Sequence, residues 1–325
     1  MLSEFYVAGG RQRAPRPLSA GNRDWNGYEQ GVILRINTAN GEWKEALSYV
    51  SPLDVIAPED AAITFQAGAI KDQILYICTQ TEVLLYRLPE FEQLGYLSLP
   101  IFNDLHHVCP TPTGSILVAN AGLEMVLEVT VEGEMLRCWN VLGEEPIKFS
   151  DETDYRKLST KPHRSHPNYL FYLDSQPWAT RFHQGDAICL TQPEKRIQIS
   201  TERIHDGIVH GGRIYFSGVN GCIYVANAST LTLERTINLN QMHSDESLLG
   251  WCRGILVDED RLWVGFSRIR PTKWRENVGW VMRGFKDARP THIACYDLVK
   301  NECVTEIDLE PMGLNAVYSI FPAAV

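Results

Sequence analysis

Three short stretches of the sequence place histidines beside groups that act with them in metal binding or proton transfer. They read N-D-L-H-H at 103–107, H-R-S-H-P-N at 163–168 and I-H-D-G at 204–207. Imidazole together with carboxylate suits zinc, iron or manganese, whereas Asp and Asn oxygens alone suit calcium. Without a metal, the same pair is a general base in which the carboxylate orients the imidazole. The stretches are far apart in the chain, so only the fold can bring them together.

A repeat along the chain supplies such a fold. Strand-like runs rich in Val, Ile, Leu and Tyr, separated by Gly, Asn, Asp or Pro, cover nearly the whole sequence and group in fours. The first strands of successive groups align at intervals of 39, 61, 39, 47 and 62 residues. The aligned positions are Ala67, His106, Pro167, Asp206, Arg253 and Asn315. Four-stranded units of about 40 to 50 residues are typical of propeller blades.

The sixth unit is split between the two ends of the chain. Only one strand, in G-L-N-A-V-Y-S-I-F at 313–321, follows the fifth unit, while three strands precede the first unit, within 4–50. Joining these four strands leaves no open sheet edge at the seam. The sequence therefore predicts an all-β, six-bladed β-propeller with four-stranded blades, closed by one C-terminal and three N-terminal strands. Residues 1–325 are predicted to form this single domain.

Three insertions, at 10–30, 143–165 and 267–290, fall in connections expected on one face of the propeller. They hold 16 of the 30 Lys and Arg residues and nine acids, so they carry +7 in a chain of −10. A basic face on an acidic body attracts an anionic ligand. The predicted substrate-binding residues are Arg23, Lys161, Arg164, Trp251, Arg268 and Arg270. The alternative is that these loops are solvated and that their charge merely aids solubility.

The insertion at 267–290 also contains aromatic and apolar residues: Trp274, Trp280, Met282 and Phe285. They fit a lid over a ligand, a small satellite core or an oligomer contact.

The starts of the inner strands are expected to converge at the mouth of the central channel. The predicted metal ligands are His106, His166, His205, Asp206, Asp104, Asn168 and Asn315, and the predicted catalytic residues are His205, Asp206, His106 and Arg253. Arg253 adds a fixed positive charge that can clamp a carboxylate or phosphate. Gly207 and Gly254 fit a slot in which a side chain would crowd the neighbouring inner strands. Three interpretations remain open: a site for one divalent ion, metal-free acid–base catalysis, and a channel lined by structural polar groups.

The remaining histidines are expected to have other roles. His107 and His210 are predicted to pack between blades. His183, His243 and His292 are predicted to lie in loops or at strand ends without convergent partners.

Composition excludes several classes of function. The net charge of −10 argues against a nucleic-acid partner. No apolar run approaches the ~20 residues of a membrane span, and no signal peptide is visible, which predicts a cytosolic protein without a membrane partner. The eight cysteines occur singly, mostly in apolar runs, as expected for reduced buried thiols. The chain shows no nucleotide fingerprint or phosphate loop, so no nucleotide cofactor is expected.

The six-unit pattern, with blades of the type G-x-I-x-x-x-x-x-[IL]-[WY]-V, resembles the calcium-dependent propellers of the senescence-marker protein/gluconolactonase and strictosidine-synthase superfamily. The resemblance implies a lactonase-like site, in which a Glu from the first blade acts with Asn and Asp from later blades. Asn168, Asp206 and Asn315 match the later ligands, while Gln66 and Ala67 occupy the position of the Glu.

The sequence thus predicts an enzyme that acts on a small anionic metabolite at the channel mouth. Hydrolysis, elimination or isomerisation would proceed by metal-assisted or His/Asp acid–base chemistry. The competing class is a non-catalytic propeller that binds a protein or small-molecule partner through the same basic, aromatic-bearing face.

Overall fold

In a computed structural model of the protein, the described residues are 2–13, 27–58, 61–145, 152–245, 247–268 and 289–323. They form β-strands joined by turns and four short 3-10 helices, at Leu53–Val55, Ala121–Leu123, Tyr155–Lys157 and Leu239–Met242. Of the helices in this part of the chain, none has the length and apolarity that crossing a membrane requires.

The strands follow one another in groups of four. The chain begins with β1 (Glu4–Gln12), β2 (Tyr28–Asn37) and β3 (Trp43–Tyr49). Blade 1 is β4 (Gly68–Lys71), β5 (Ile74–Cys78), β6 (Val83–Arg87) and β7 (Glu92–Leu97). Blade 2 is β8 (Leu105–Pro110), β9 (Ile116–Asn120), β10 (Met125–Val129) and β11 (Met135–Asn140). Blade 3 is β12 (Pro167–Leu173), β13 (Gln176–Arg181), β14 (Asp186–Cys189) and β15 (Arg196–Gln198).

Blade 4 is β16 (Ile204–His210), β17 (Arg213–Gly218), β18 (Cys222–Asn227) and β19 (Leu233–Asn238). Blade 5 is β20 (Trp251–Asp258), β21 (Arg261–Ser267), β22 (His292–Asp297) and β23 (Glu302–Asp308). The last strand, β24 (Ala316–Pro322), joins the N-terminal strands in the order β24-β1-β2-β3, which is blade 6. The predicted six blades and their closure are confirmed.

Backbone pairing closes the ring. β24 runs antiparallel to β1, from Pro322 opposite Phe5 to Ala316 opposite Gly10. Gly9 lies at the tightest point of this pairing, where a Cβ would come within 1.7 Å of the Ala316 carbonyl oxygen. The seam therefore requires a residue without a side chain at this position.

Among the described residues, apolar side chains form six separate clusters, each between two adjacent blades. The largest, between blades 4 and 5, contains fifteen buried residues, and the smallest, between blades 2 and 3, contains eight. Phe5 of blade 6 and Trp263 of blade 5 pack with ring centroids 4.7 Å apart. Because clusters also join blade 5 to blade 6 and blade 6 to blade 1, burial is continuous around the ring.

Tight turns connect the first and second strands of several blades. The turn residues Asp72 and Gln73 both have positive φ, as do Asp174 and Ser175 in blade 3. Two consecutive residues with positive φ form the type I′ turn, whose twist matches that of the flanking strands. These pairs of polar turn residues thus set the register of the inner hairpins in blades 1 and 3.

At the end away from these turns, the pairing of the inner strand is irregular in five blades. Register shifts lie at Leu105/His107 in β8, Pro167/Leu170 in β12, His205/Ile208 in β16 and Arg253/Ile255 in β20, and β1 shifts against β24. Bulges of this kind bend a strand and re-aim its side chains. In these four inner strands they occur at the positions that align in the sequence repeat.

Two glycines near these bulges have the predicted steric role. A Cβ on Gly207 would lie 2.8 Å from Phe171 of β12, and one on Gly254 would lie 3.2 Å from the backbone of Ser319 in β24. Both contacts are with the inner strand of an adjacent blade, so the predicted crowding is confirmed.

We expect Gly9→Ala to lower the free energy of unfolding by about 2 kcal/mol or more, because the new methyl group overlaps the backbone of β24. Gly95→Ala in β7 is the matched control, since its Cβ would meet only Leu85 side-chain atoms at ordinary contact distance, 3.5 Å. Urea denaturation of both variants measures the effect. Equal stability of the two variants would contradict the assigned seam.

Candidate functional site

Four polar side chains from blades 2 and 3 meet at the channel mouth. Ligand atoms of Asp104, His106 and His166 all lie within 4.8 Å of one another. The Nε2 atoms of His106 and His166 are 3.0 Å apart, and His163 Nδ1 lies 2.5 Å from His166 Nδ1. Two atoms bound to one ion at ~2.1 Å are about 3.0 to 3.4 Å apart, which matches the first of these distances.

The hydrogen bonds of His106 leave a lone pair facing the cluster. Its Nδ1 lies 2.8 Å from the Asp104 backbone carbonyl, which can only accept, so we assign the proton to Nδ1. Nε2 then carries the lone pair directed at His166. A backbone carbonyl bonded to the distal nitrogen is the common way of orienting a metal-binding histidine.

Burial keeps the imidazoles neutral. It lowers the pKa of His106 to about 4, lowers the pKa of His166 well below its ordinary value and also lowers that of His163. Burial alone would raise the pKa of Asp104, but neighbouring basic groups, among them the cations Lys161 and Arg253, outweigh it and the pKa is lowered. The cluster therefore presents neutral imidazoles and a carboxylate, which are the forms that bind metals.

One carboxylate oxygen in this cluster has no hydrogen bond. Oδ2 of Asp104 is buried and, among the described residues, lacks a hydrogen-bond partner. The cationic Lys161 Nζ lies 3.7 Å from it, and Nδ1 of the neutral His163 lies 3.8 Å from it. A buried unpaired oxygen is costly, so a cation would stabilise it.

Glu124 holds the backbone that carries His166. Its carboxylate accepts from three consecutive amides, those of Arg164, Ser165 at 3.0 Å and His166 at 2.7 Å. This anchoring keeps His166 at φ +62°, an uncommon conformation for a residue other than glycine. Glu124 lies in the connection between β9 and β10, so blade 2 positions a ligand that belongs to blade 3.

Asn103 fixes the described part of the insertion at 143–165 over the mouth. Its Nδ2 donates to the carbonyls of Tyr155 at 2.5 Å and Leu158 at 2.8 Å, and its Oδ1 accepts from Thr160 at 2.9 Å. The segment that carries Lys161 and His163 is thereby held beside Asp104.

A second group, from blades 4, 5 and 6, surrounds Arg253. The guanidinium carbon lies 5.0 Å from the ring centroid of Tyr318 and 5.7 Å from that of Trp251, as in cation–π contacts. Nε donates to His205 Nε2 at 3.1 Å, while Nη1 and Nη2 make no hydrogen bond within the described part of the chain. Arg253 is thus a largely buried cation with donors left for an anion.

Phe182 lies between the two groups. Its ring centroid is 5.4 Å from that of His166 and 4.9 Å from that of His205. The charge of Arg253 also lowers the pKa of His106 and His166, although burial is the larger cause. The histidine cluster and Arg253 therefore belong to one continuous site.

His205 and Asp206 have different partners. His205 Nε2 accepts from Trp251 Nε1 at 3.2 Å as well as from Arg253. Asp206 accepts from the Ser217 hydroxyl and, at 3.0 Å, from the Gly254 amide. The contacts among described residues thus tie the predicted dyad to two separate sets of donors.

The other predicted site residues lie outside the histidine cluster. Asn168 donates to the Ile204 carbonyl at 3.0 Å, and Asn315 accepts from the Gln12 amide at 2.9 Å. Arg164 pairs with Glu144 at 2.8 Å and Arg268 with Glu310 at 3.2 Å. Arg23 and Arg270 lie outside the described residues, as do Trp274, Trp280, Met282 and Phe285.

Sequence reasoning missed some contacts. His163 was overlooked, although its spacing of three from His166 places two imidazoles on one short segment. His243 and His292 are predicted to lack convergent partners, which is wrong because His243 Nδ1 lies 3.2 Å and His292 Nε2 lies 4.0 Å from Glu306 Oε1. The packing of His107 is confirmed by its stacking on Tyr169 at 3.8 Å, but His210 is exposed.

Comparisons with known proteins show the fold. No protein-family model and no curated protein matches the chain. A protein of unknown function from Bacteroides caccae is similar in structure, with a TM-score of 0.62, 13% identity and 98% of each chain covered. A chain in the crystal structure of a nidogen/laminin complex has a TM-score of 0.55 at 9% identity, covering 98% of this chain and 97% of that one. Both likenesses support the propeller, and neither singles out the gluconolactonase superfamily.

The protonation of Asp206 should make the stability of the protein depend on pH. Burial raises its pKa to about 6 from 3.8, although hydrogen bonds from Ser217 and Gly254 oppose the shift. The folded state therefore binds the proton more tightly, so the free energy of unfolding falls as pH rises from about 4 to 6 and stays lower above that range. Two pKa units correspond to roughly 3 kcal/mol.

We expect Asp206→Asn, which does not titrate, to lack this fall. Urea midpoints of the wild type and the variant, measured from pH 4 to pH 7.5, give the comparison. Parallel curves for the two proteins would show that Asp206 ionises normally in the folded state.

Proposed function

We propose that the protein is an enzyme that uses one divalent metal ion to act on a small anionic metabolite at the channel mouth. The observation that carries the proposal is the convergence of Asp104, His106 and His166, in which the buried Asp104 Oδ2 has no hydrogen-bond partner among the described residues. The proposed ligands come from two blades, and His163 contacts both His166 and Asp104.

The donor set favours zinc, iron or manganese. Two or three imidazoles with one carboxylate suit these ions, whereas calcium prefers oxygen ligands. In the ligand set implied by the lactonase resemblance, the Asp206 and Asn315 oxygens accept hydrogen bonds from backbone amides. Asn168 donates through Nδ2 to the Ile204 carbonyl, and its buried Oδ1 has no hydrogen-bond partner among the described residues. We therefore propose a histidine-based metal site in place of a calcium site of the lactonase kind.

Charge near the cluster favours an anionic ligand. Arg253 and Lys161 place two positive charges near Asp104, and a divalent ion would add a local excess of positive charge on the side that faces Arg253. A carboxylate or phosphate placed between the ion and Arg253 would neutralise it, with the planar guanidinium offering two parallel donors. The rings of Trp251 and Tyr318 lie against the guanidinium, and Phe182 stacks on Trp251. These apolar surroundings lower the local dielectric constant, which strengthens such an interaction.

The metal would supply Lewis-acid polarisation of a carbonyl or phosphoryl oxygen, or acidify a bound water. Hydrolysis, elimination and isomerisation of an anionic substrate all use these effects. In this arrangement, His205 acts by holding Arg253 and Trp251, because its Nε2 lone pair already accepts from both.

Other predictions from the sequence remain predictions. They are a cytosolic location, the lack of nucleic-acid and membrane partners, the lack of a nucleotide cofactor and an oligomer contact through 267–290. The competing function, binding of a partner through a rim centred on Trp274 and Trp280, concerns residues outside the described ranges.

We expect His106→Ala and His166→Ala each to weaken zinc binding at the mouth on the order of a hundredfold, because removal of a ligand exceeds the effect of removing its outer partner. Calorimetric titration of the metal-free protein should show the affinity of this site lowered by that factor relative to the wild type. His210→Ala, an exposed histidine of the β16–β17 hairpin, is the matched control and should bind as the wild type does. Unchanged stoichiometry and affinity in both cluster variants would exclude the site.

The anion clamp has its own test, with oxalate as the probe for a small dicarboxylate. We expect Arg253→Met in the zinc-loaded protein to bind oxalate at least tenfold more weakly, about 1.4 kcal/mol, with Arg253→Lys in between because it keeps the charge but loses the paired donors. Arg213→Met, at an exposed ion pair with Glu234, is the control. Equal oxalate affinity in the wild type and Arg253→Met would rule out the clamp.

A further inference from the structure

We propose that the rim between blades 4 and 5 holds a second metal site, separate from the channel, with zinc bound by His243, His292, Cys303 and Glu306. The proposal does not depend on the function suggested for the mouth. Of the four proposed ligands, one lies in the connection that follows β19 and three lie in the two outer strands of blade 5, β22 and β23.

Three of the ligands already converge. Donor atoms of His243, Cys303 and Glu306 all lie within 4.8 Å of one another. A bulge in β23 makes this possible: Tyr296 faces Cys303 while its neighbour Cys295 faces Thr305, which leaves Val304 as the extra residue. Cys303 and Glu306, three apart in the strand, are thereby brought to the same side.

His292 provides the second, independent observation. Its side chain is buried, at 3% exposure, and its Nε2 has no hydrogen-bond partner among the described residues. Nδ1 lies 2.8 Å from the Pro290 carbonyl, so the proton belongs on Nδ1 and the lone pair on Nε2. This bare nitrogen lies 4.0 Å from Glu306 Oε1 and thus faces the same group of donors.

The rings of both histidines are held as metal ligands commonly are. His243 Nε2 contacts the buried hydroxyl of Tyr296 at 2.9 Å, which leaves Nδ1 for an ion. His292 is oriented by the Pro290 carbonyl and stacks on Phe266 with centroids 4.9 Å apart. Hydrogen bonds of this kind fix the orientation and raise the basicity of a ligating imidazole.

Binding of a metal ion at this site requires the Arg289 guanidinium to release His243 and Glu306. Its Nη1 contacts Glu306 and lies 3.1 Å from His243 Nδ1. The same guanidinium also pairs with Asp245 at 2.9 and 2.8 Å and with the Ser247 hydroxyl at 2.6 Å, and these bonds can hold it once it releases Glu306.

Charge balance favours replacement of the Arg289–Glu306 contact by a divalent ion. Arg289 faces two carboxylates, those of Glu306 and Asp245, so the group carries one surplus negative charge. A divalent ion bound by the Cys303 thiolate brings the total to zero. Thiolate with imidazole and carboxylate is a ligand set for zinc, whereas the channel cluster contains no sulfur ligand.

Cobalt(II) distinguishes the two sites, because only a cobalt–thiolate bond gives strong charge-transfer absorption in the near ultraviolet. We expect this absorption to appear when metal-free full-length protein is titrated with Co²⁺. It should saturate when one thiolate-bound Co²⁺ is present per chain, and it should disappear when zinc is added. Cys303→Ser should abolish the absorption. Cys138→Ser, another partly buried thiol in an outer strand, is the matched control and should retain it.

Further variants keep the test decisive. His292→Gln and Glu306→Gln leave the thiol in place and should weaken cobalt binding at least tenfold, while His166→Ala, at the channel site, should leave the absorption unchanged. Circular dichroism verifies the fold of each variant. No charge-transfer absorption in the wild type, or absorption that persists in Cys303→Ser, would overturn the second site.

Discussion

Hydrogen bonding between β24 and β1 is the constraint on which the rest of the structure depends. It joins the last strand to the first one and so completes the sixth blade, which packs through apolar clusters against blades 5 and 1 and closes the ring. Only a closed ring brings the starts of inner strands from different blades to one mouth. Residues as distant in sequence as Asp104 and Arg253 then share an electrostatic environment.

The mouth combines this rigid ring with local backbone strain. Asp104, His166 and Asp206 all have positive φ, at 48°, 62° and 43°, and none is glycine. Such conformations cost about 1 to 3 kcal/mol each and persist where surrounding bonds enforce them. Glu124 enforces one at His166, and the Ser217 and Gly254 donors hold another at Asp206. The result is an asymmetric mouth, with neutral imidazoles on one side, a cation on the other and Phe182 between them.

The repeat in the sequence predicted the blades, their order and the split sixth blade, because period-two apolar runs and turn residues are local signals. It also indicated that His106, His166 and Arg253 start inner strands. It did not predict which neighbours these side chains would choose. His205 and Asp206 are adjacent in sequence, yet the bulge in β16 and the donors of blade 5 draw them to different partners. The contacts of Glu124 and His243 depend on connections between blades, which no local pattern specifies.

The distribution of apolar burial around the ring indicates that an ion at the histidine cluster would stabilise the junction between blades 2 and 3. The junction between blades 2 and 3 has the smallest buried cluster of the six, and Asp104, His106, Glu124 and His166 span this same junction. An ion held there would link blades 2 and 3 at the junction that buries the fewest apolar residues. Occupancy would then be coupled to local opening, since a ligand that binds only the closed form suppresses the open one. Amide hydrogens of β8 and β12 would report on ion binding by exchanging more slowly when the ion is bound.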